Sequence, residues 1–413
     1  MTTVETVDSD ARQLTRDGWW FPVLLFVIVA SVLAIVVQTS HNHLKPDKPQ
    51  TGPDISDVSF YGGWMQFDSG WYVSIAEHGY DKPQVASFDA GQQSAVAYFP
   101  GYPLAVHQVA RFAGSDYVLA AELTTIMCGF AVFLLFWMWC GRRLTPAARR
   151  TAMLAFALYP YAWFLYGSAY GDVFFIALTI TAFSLLERDK PILAGLAGAG
   201  ASATRLIGIG TIIGLVALVI ERRHAVVRTE HDGPRHLWSG WRVDRSRLRL
   251  RDSGVLLSVA GIGAYSVFLW ARVGDPIAFN TVQAAPGWNQ GTGPKTWFKY
   301  SFFAQVIRGE HSYGARLVLQ ALLCLLFIIA IPYVARRIGA AYAVYTAVII
   351  GIPLIGTSTM QGFGRYLLSA FPVFAVGGAM LADRPRPRRA VLLSSATLLV
   401  VLASFFGRGF YLS

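Results

Sequence analysis

A carboxylate flanked by aromatic rings stands in the first polar segment that follows a long apolar run. The apolar run extends from Trp19 to Gln38, and the polar segment contains Gln66-Phe67-Asp68-Ser69-Gly70-Trp71-Tyr72. A positioned carboxylate can take a proton from an attacking hydroxyl, and this one is close in the chain to a membrane-spanning run. The segment therefore predicts chemistry on a lipid-borne substrate, with Asp68 as the candidate general base.

The same segment has a structural interpretation. Asp-Ser-Gly before Trp71 is typical of a helix N-cap. The residues that follow predict an interfacial helix with Trp71, Tyr72 and Ile75 on its apolar face. Because the start of a helix also positions a side chain well, capping and catalysis are compatible at Asp68, and both interpretations stay open at this point.

The composition indicates a membrane protein. Of the 413 residues, 54% are hydrophobic and only 14% are charged, and the mean hydropathy is +0.45. Apolar runs long enough to cross a bilayer recur along the chain, which predicts an all-α polytopic protein. The first run has no small-residue cleavage site and is interpreted as an uncleaved anchor. The cysteines all lie in apolar runs, which argues against a disulfide framework.

The positive charges predict the topology. The net charge is +11, but most arginines lie in short loops, where positive charge keeps a loop cytoplasmic and does not imply nucleic acid. The basic clusters are Arg142 to Arg150, Arg188 to Lys190, Arg222 to Arg251, Arg336-Arg337, and Arg384 to Arg389. With all of them inside, Met153 to Glu187 is predicted to form two short helices that meet outside near Gly171. Pro191 to Ile220 is predicted to do the same near Arg205.

These rules predict one transmembrane domain of about 11 helices, with a cytoplasmic N-terminus and an external C-terminus. The predicted segments are a cytoplasmic tail (1–18), the transmembrane domain (19–406) with a first external loop (41–116), a basic cytoplasmic loop (221–253) and a second external loop (274–313), and an external tail (407–413).

Four ionisable residues fall on the external side under this topology: Asp68, Asp172, Arg205 and Arg365. Charged groups at membrane depth usually face a cavity or pair with one another. Two carboxylates and two guanidiniums suit a site that handles a hydroxyl and a phosphate. The alternatives are capping by Asp172 at a helix start and arginines that extend to the outer surface. No Cys/His pattern indicates a metal site.

Several motifs occur in the order found in one enzyme family. They are Phe67-Asp68 with Trp71-Tyr72, Ile75-Ala76-Glu77-His78-Gly79-Tyr80, Tyr98-Phe99-Pro100, Leu158-Tyr159-Pro160 with Tyr170-Gly171-Asp172, Thr204-Arg205, Gly274-Asp275-Pro276 with Gln283 and Trp288, and Gly364-Arg365-Tyr366 with Phe371-Pro372. This ordered set resembles the PIG-V family of mannosyltransferases, of the GT-C class of glycosyltransferases. The chain departs from the family pattern where Phe67 replaces a tryptophan and Asp172 replaces a glutamate.

The resemblance implies a GT-C-like bundle whose long first external loop carries interfacial helices. It implies transfer of a sugar, most simply mannose, from a polyprenyl-phosphate donor to an acceptor hydroxyl, with inversion, on the extracytoplasmic face of the cell membrane. Asp68 would be the general base, and Asp172 would orient the acceptor or share that role. Arg205 or Arg365 would bind the donor phosphate. No metal or other cofactor is expected.

The further substrate-binding residues implied by the motifs are Trp71, Tyr72, His78, Tyr98, Tyr170, Gln283, Trp288 and Tyr366. The external aromatics Trp297, Phe298, Phe302 and Phe303 are better explained as anchors at the membrane interface. The acceptor, whether glycolipid, polysaccharide or protein, is left open, as is the oligomeric state.

Two other functions are compatible with the residues. A transporter or flippase for a lipid-linked or anionic solute would use intramembrane Arg and Asp equally well, but transporters usually place such charges near the midplane between repeated halves. A non-catalytic assembly subunit would need none of the four charged residues. Growth rescue by point variants of Asp68, Asp172 and Arg205 discriminates these possibilities.

Overall fold

The computed structural model describes residues 18–44, 62–80, 93–228, 241–285, 288, 290–291 and 293–412. The predicted cytoplasmic tail, the middle of the first external loop and part of the basic loop lie outside the described residues. All of the predicted site residues lie within them.

The described residues form a helical bundle. Its α-helices, in chain order, are α1 (Trp20–His43), α2 (Asp68–His78), α3 (Gly101–Ala110), α4 (Tyr117–Gly141), α5 (Pro146–Ala157), α6 (Gly171–Glu187), α7 (Pro191–Ser202), α8 (Gly208–Arg222), α9 (Ala260–Val273), α10 (Ala278–Thr281), α11 (Pro294–Trp297), α12 (Tyr300–Arg308), α13 (His311–Arg337), α14 (Ala340–Gly356), α15 (Phe363–Tyr366), α16 (Phe371–Leu381) and α17 (Pro385–Gly407). The strands β1 (Val226–Arg228) and β2 (Trp241–Val243) pair antiparallel in the basic loop.

Five helices in the described part of the chain are long and apolar enough to cross a bilayer. They are α1, α4, Leu250–Val273 (a 3₁₀ segment that continues into α9), α13 and α17. A sixth is added if the pair Phe363–Ser369 and Phe371–Leu381, bent by 80°, counts as one broken span. The chain is therefore a multi-pass membrane protein, and the total of about 11 helices stays a prediction.

The short paired helices break where the arginine pattern predicts. Helix α6 begins at Gly171, and Arg205 lies in the turn between α7 and α8. Helices α5 to α8 have 12, 17, 12 and 15 residues, or roughly 18 to 26 Å at 1.5 Å per residue. Because a hydrocarbon core is about 30 Å thick, these helices end within the protein and can present their ends to an interior site.

Small residues let the paired helices pack closely. A Cβ on Gly195 of α7 would collide with the carbonyl of Gly254, and one on Gly198 would lie 2.6 Å from Cβ of Ser258. The glycine-rich run of α7 therefore serves backbone contact with the 3₁₀ segment Leu250–Val259, as small residues do between membrane helices.

Helix α2 differs from the predicted interfacial helix. Every residue from Ser69 to Ala76 is buried, so Trp71, Tyr72 and Ile75 do not form a single apolar face opposite a polar one. The small residues Ser69, Gly70, Ser74 and Ala76 occupy the remaining sides of the helix, so neighbouring helices can pack closely around it.

The segment that the sequence predicts as the second external loop carries three short helices, α10, α11 and α12. Helix α12 has no buried residue and exposes Tyr300, Phe303 and Ile307. Trp297 and Phe298 just before it are also exposed. This distribution is typical of helices that lie in a membrane interface, and it supports the interpretation of Trp297, Phe298 and Phe303 as anchors. Phe302 is only partly exposed and packs against the core.

Candidate active site

Asp68 is the first residue of α2, and its carboxylate does not cap that helix. The N-cap position is Phe67, with φ +53° and no side-chain cap. The capping interpretation of Asp68 is therefore wrong: Tyr98 Oη donates to Oδ1 at 3.1 Å, and Arg365 Nη1 donates to Oδ2 at 3.0 Å. A positive φ in a bulky residue stores strain, and this strain lies immediately before the candidate base.

Arg365, on α15, is bound by both carboxylates. It pairs with Asp68, and its Nε lies 3.7 Å from Oδ2 of Asp172. Its guanidinium carbon also lies 4.8 Å from the ring centre of Tyr170, within the range of a cation–π contact. Arg365 is buried, with 7% of its side chain exposed, so it does not extend to the surface.

Arg205 completes the set from the turn between α7 and α8. It forms an ion pair with Oδ1 of Asp172, and its guanidinium carbon lies 5.1 Å from the ring centre of Tyr366. Its side chain is 11% exposed, whereas that of Asp172 is fully buried. The surface-extension interpretation is wrong for Arg205 as well.

The four residues form one cluster, which we call the charged quartet: Asp68, Asp172, Arg205 and Arg365. The quartet contains two negative and two positive charges, so its formal charge is zero. Asp172 lies in the first turn of α6 without capping it, and it contacts both arginines. Since removal of one partner of a buried ion pair leaves an uncompensated charge, each such loss costs about 3–5 kcal/mol.

A cavity of about 420 Å³ opens against the quartet. This volume is in the range of small-molecule sites. Asp68, Arg205 and Arg365 line it, but Asp172 does not. The lining also contains aromatic and polar side chains, among them Tyr72, Tyr98, Trp288, Tyr366, Tyr411, Asn280, Thr281, Gln283, Gln290, Thr204 and Thr357.

Tyr98 connects the aromatic side of the cavity to Asp68. Its ring stacks on Trp71 at 5.7 Å and meets Trp288 edge-on at 5.8 Å. Its backbone carbonyl accepts hydrogen bonds from Tyr80 and Tyr265. Burial, helped by the neighbouring Asp68 carboxylate, raises the pKa of Tyr98 well above its ordinary value. The phenol therefore stays protonated and remains a donor to Asp68.

The predicted substrate-binding residues divide into three groups. Tyr72, Tyr98, Gln283, Trp288 and Tyr366 line the cavity. Trp71 and Tyr170 stand behind it, and Tyr170 Oη accepts from the backbone N–H of Asp68 at 3.3 Å. His78 lies at the far end of α2 beside Glu77 and is not brought to the cavity.

Some lining residues were not singled out from the sequence. Tyr411 comes from the C-terminal end, Asn280 and Gln290 from the predicted second external loop, and Thr357 from the end of α14. Their proximity to the Gly274-Asp275-Pro276 motif was a usable signal for Asn280 and Gln290. No local pattern marks Tyr411 or Thr357. In the part of the chain that the structure describes, no group of three or more His, Cys, Asp or Glu is arranged to hold a metal ion.

Comparison with known proteins supports the class of fold. The solved structure of ArnT from Cupriavidus metallidurans, bound to undecaprenyl phosphate, aligns with a TM-score of 0.51 at 16% identity, over 91% of this chain and 63% of that one. The fold is that of the GT-C class, as the sequence motifs predicted.

Curated relatives narrow the resemblance. The chain is 26% identical over 215 residues to GPI alpha-1,6-mannosyltransferase 2 of Rattus norvegicus. This alignment covers 46% of this chain and 42% of the relative. The chain is 25% identical over 215 residues to the protein of the same name from Mus musculus, and that alignment covers 46% of this chain and 41% of the relative. The alignment thus spans less than half the length of the curated relatives. No family model matches the chain. The resemblance to PIG-V-type mannosyltransferases is confirmed.

Proposed function

We propose that the protein is a glycosyltransferase that moves a sugar, mannose in the simplest case, from a polyprenyl-phosphate donor to an acceptor hydroxyl. The observation that carries this proposal is Asp68, a carboxylate at the edge of a cavity of about 420 Å³ that Arg205 and Arg365 also line. The relatives named as mannosyltransferases and the fold shared with a protein that binds undecaprenyl phosphate support it.

In the proposed step, Asp68 takes the proton of the acceptor hydroxyl. The hydroxyl oxygen forms a bond to the anomeric carbon as the bond from that carbon to the donor phosphate breaks, and the phosphate leaves on the opposite face. The configuration at the anomeric carbon is therefore inverted. Phosphate is a good leaving group, so the step needs charge stabilisation more than a strong acid.

Arg205 is the better candidate for the donor phosphate. Arg365 lies between two carboxylates, whereas Arg205 pairs with Asp172 alone and is slightly more exposed. A guanidinium presents several donors in a planar fork, so Arg205 can contact a phosphate oxygen while it keeps one bond to Asp172. Arg365 then holds Asp68 in position.

Asp172 has a supporting role in this scheme. It is fully buried, does not line the cavity and contacts both guanidiniums. A group without access to the acceptor cannot take its proton, so Asp172 orients the arginines and balances their charge. This assignment replaces the expectation that Asp172 shares the base role.

The proposed site opens on the extracytoplasmic face. The support is the arginine pattern: the turn with Arg205 and the start of α6 lie at the helix ends opposite the basic loops. Accessibility labelling of a cysteine at Ser115, in the exposed turn before α4, tests this orientation. Reaction only from the cytosolic side would contradict it.

The test of the activity uses purified protein in proteoliposomes with labelled polyprenyl-phosphate-mannose and total native lipid. We expect wild type to form a labelled glycolipid whose new linkage is inverted relative to the donor. Asp116→Asn, which changes an exposed external N-cap, serves as the matched control and should match wild type. Movement of intact donor across the bilayer without any transfer product would favour the transporter instead.

A further inference from the structure

The residues that line the cavity include two chemically different groups. One group, the charged wall, is Asp68, Arg205 and Arg365. The other group, which we call the amide wall, is Asn280, Gln283, Gln290 and Thr357. Carboxamides and hydroxyls both donate and accept hydrogen bonds, which suits the hydroxyl groups of a sugar. The amide wall comes mainly from the segment between α9 and α12 (274–299), which we call the loop. Contacts with the bundle must hold this loop in place.

The loop pairs with the end of α14 through its backbone. Gln290 forms an antiparallel bridge with Thr357, and the N–H of Gly291 donates to the carbonyl of Gly356 at 3.2 Å. The N–H of Gln290 also donates to the carbonyl of Gln283 at 3.0 Å. These bonds bring the loop to Thr357, but one bridge of this length is too short to be stable alone.

Lys299 makes a second attachment at the same place. It is 9% exposed, and its Nζ donates to the carbonyl of Leu354 at 2.6 Å, to the carbonyl of Thr357, and to Oγ1 of Thr357 at 3.4 Å. These acceptors are at the C-terminal end of α14, where the helix dipole is negative. No carboxylate of the described residues lies within ion-pairing distance of Lys299.

The backbone at Lys299 is itself constrained. Its φ is +55°, in the left-handed region, which a residue with a Cβ adopts only at a cost. Buried ammonium groups usually pair with carboxylates. A lysine that is buried, strained and bound only to carbonyl and hydroxyl oxygens is therefore held by the specific geometry of this contact.

We propose that Lys299 is a positioning residue that fixes the amide wall, and that this wall binds the sugar and acceptor hydroxyls in the reaction proposed above. The ammonium joins the loop to the last turn of α14 and so fixes the positions of Gln283, Gln290 and Thr357 in the lining of the cavity. This inference rests on the proposed function only for the identity of the ligand that the wall contacts.

The effect of Lys299 on the kinetics follows from its position beside the amide wall and away from the charged quartet. Loss of Lys299 leaves the charged quartet intact, so the chemical step should persist. The sugar contacts are lost from substrate and transition state alike, which raises KM and leaves kcat little changed. For Lys299→Met we expect KM for the lipid-linked donor to rise about 10-fold, with kcat within about 3-fold of wild type. Lys299→Arg, which keeps a cation and several donors, should recover most of the loss.

The matched control is Lys295→Met, because Lys295 is an exposed lysine on the same loop. Its KM should equal that of wild type. A fall in kcat for Lys299→Met with an unchanged KM would overturn the proposal, as would wild-type kinetics in that variant.

A second measurement does not depend on activity. Spin labels are placed at Lys295→Cys on the loop and Ile355→Cys on α14, both exposed positions, in a chain whose Cys128, Cys140 and Cys324 are replaced by alanine. We expect a narrow distance distribution that broadens with Lys299→Met and narrows again with Lys299→Arg. If wild type shows no transfer, the proposed function fails, and the labels alone decide the role of Lys299. An unchanged distribution in Lys299→Met overturns it.

Discussion

Two clusters in this bundle each pair arginine with a carboxylate but differ in the geometry of their bonds. At one end of α6 and α14, Arg143 donates to the carbonyl of Trp139 at 2.8 Å and to Glu187, and Tyr342 Oη donates to Glu187 at 2.5 Å. Trp139 Nε1 in turn donates to Tyr342 Oη at 2.9 Å. Each polar group in this cluster has a directed partner.

The charged quartet, at the other end of α6, is incompletely bonded. Among the described residues, neither oxygen of Asp172 forms a directed hydrogen bond, and the same holds for Nη1 of Arg205 and Nε of Arg365, although all are close to an opposite charge. Buried polar atoms without directed hydrogen bonds are uncommon. The comparison indicates that hydrogen bonds of regular geometry fix Arg143 and Glu187, whereas ion pairs beside the cavity hold most of the quartet together.

The largest expected effect sharpens this contrast. Asp172→Ala leaves two buried guanidiniums with one carboxylate, which should lower the free energy of unfolding by about 3–5 kcal/mol and abolish transfer. Glu187→Ala in the opposite cluster should destabilise the protein similarly. Its folded fraction should still transfer sugar at a near-normal rate. Thermal unfolding in detergent and transfer per folded molecule measure both quantities. Equal loss of transfer in both variants would remove the distinction.

Substitution of Arg205 and substitution of Arg365 should affect activity and stability to different extents. Arg205→Gln removes the proposed phosphate contact, and we expect catalytic efficiency to fall about 100-fold, roughly 2.7 kcal/mol of transition-state stabilisation. Arg365→Gln removes the partner of two carboxylates, whereas Arg205→Gln unpairs Asp172 alone, so thermal stability should fall further in Arg365→Gln than in Arg205→Gln. The measurement is kcat/KM together with the unfolding temperature. A stability loss in Arg205→Gln as large as in Arg365→Gln would contradict the division of roles.

A smaller effect is expected at Tyr98. Tyr98→Phe keeps the stacking on Trp71 and removes the hydrogen bond to Asp68. The net loss of one such bond is about 1.5–3 kcal/mol when it ends on a charged group, or about 10- to 100-fold in transfer rate. Tyr102→Phe is the control, since Tyr102 Oη bonds Ala121 and Thr125 away from the quartet. A normal rate in Tyr98→Phe would show that Asp68 does not need this donor.

The smallest expected effect is a change in KM with pH that results from the titration of Lys299. Burial lowers the pKa of Lys299 from 10.5 to about 8, and the groups that face it are the Cys324 thiol and the oxygens of Leu354 and Thr357. Above pH 8 the neutral amine has two hydrogens for three acceptors, so KM for the donor should rise by a few-fold between about pH 7.5 and 9. Lys299→Arg should show no such rise.

Stability should change in the opposite direction in that window. Because the pKa in the folded state is below that of the unfolded chain, the unfolded chain binds more protons between pH 8 and 10.5, and stability rises with pH there. Thermal unfolding over the same pH range separates this effect from the change in KM. A parallel loss of stability and of substrate affinity would indicate general unfolding.

The sequence was informative where local rules apply. The arginine clusters predicted breaks near Gly171 and Arg205, because short basic loops set the parity of the crossings. The same parity predicted that Asp68, Asp172, Arg205 and Arg365 share one side, and the structure brings them together. The partners within the quartet were beyond local rules: Asp68 pairs with Arg365, which is 297 residues away, and such contacts depend on how distant helices pack.

Other residues show the same limit. His78 is ten residues beyond Asp68 on one helix, so at 1.5 Å per residue it is about 15 Å away along the axis, outside the cavity. The motif therefore brings His78 close to Asp68 in the sequence but not in space. Tyr411 and Lys299 reach the site or its wall through contacts with remote elements, and no spacing in the sequence indicates either one.

The most direct test of the account measures donor binding and sugar transfer in the same preparation of Asp68→Asn. The asparagine keeps the shape of the side chain and loses the basic oxygen, while Arg205 and the amide wall remain. We expect the Kd for polyprenyl-phosphate-mannose to stay within about 3-fold of wild type and the single-turnover rate to fall about 100-fold or more. A near-normal rate in folded Asp68→Asn would contradict the role of Asp68 as the base.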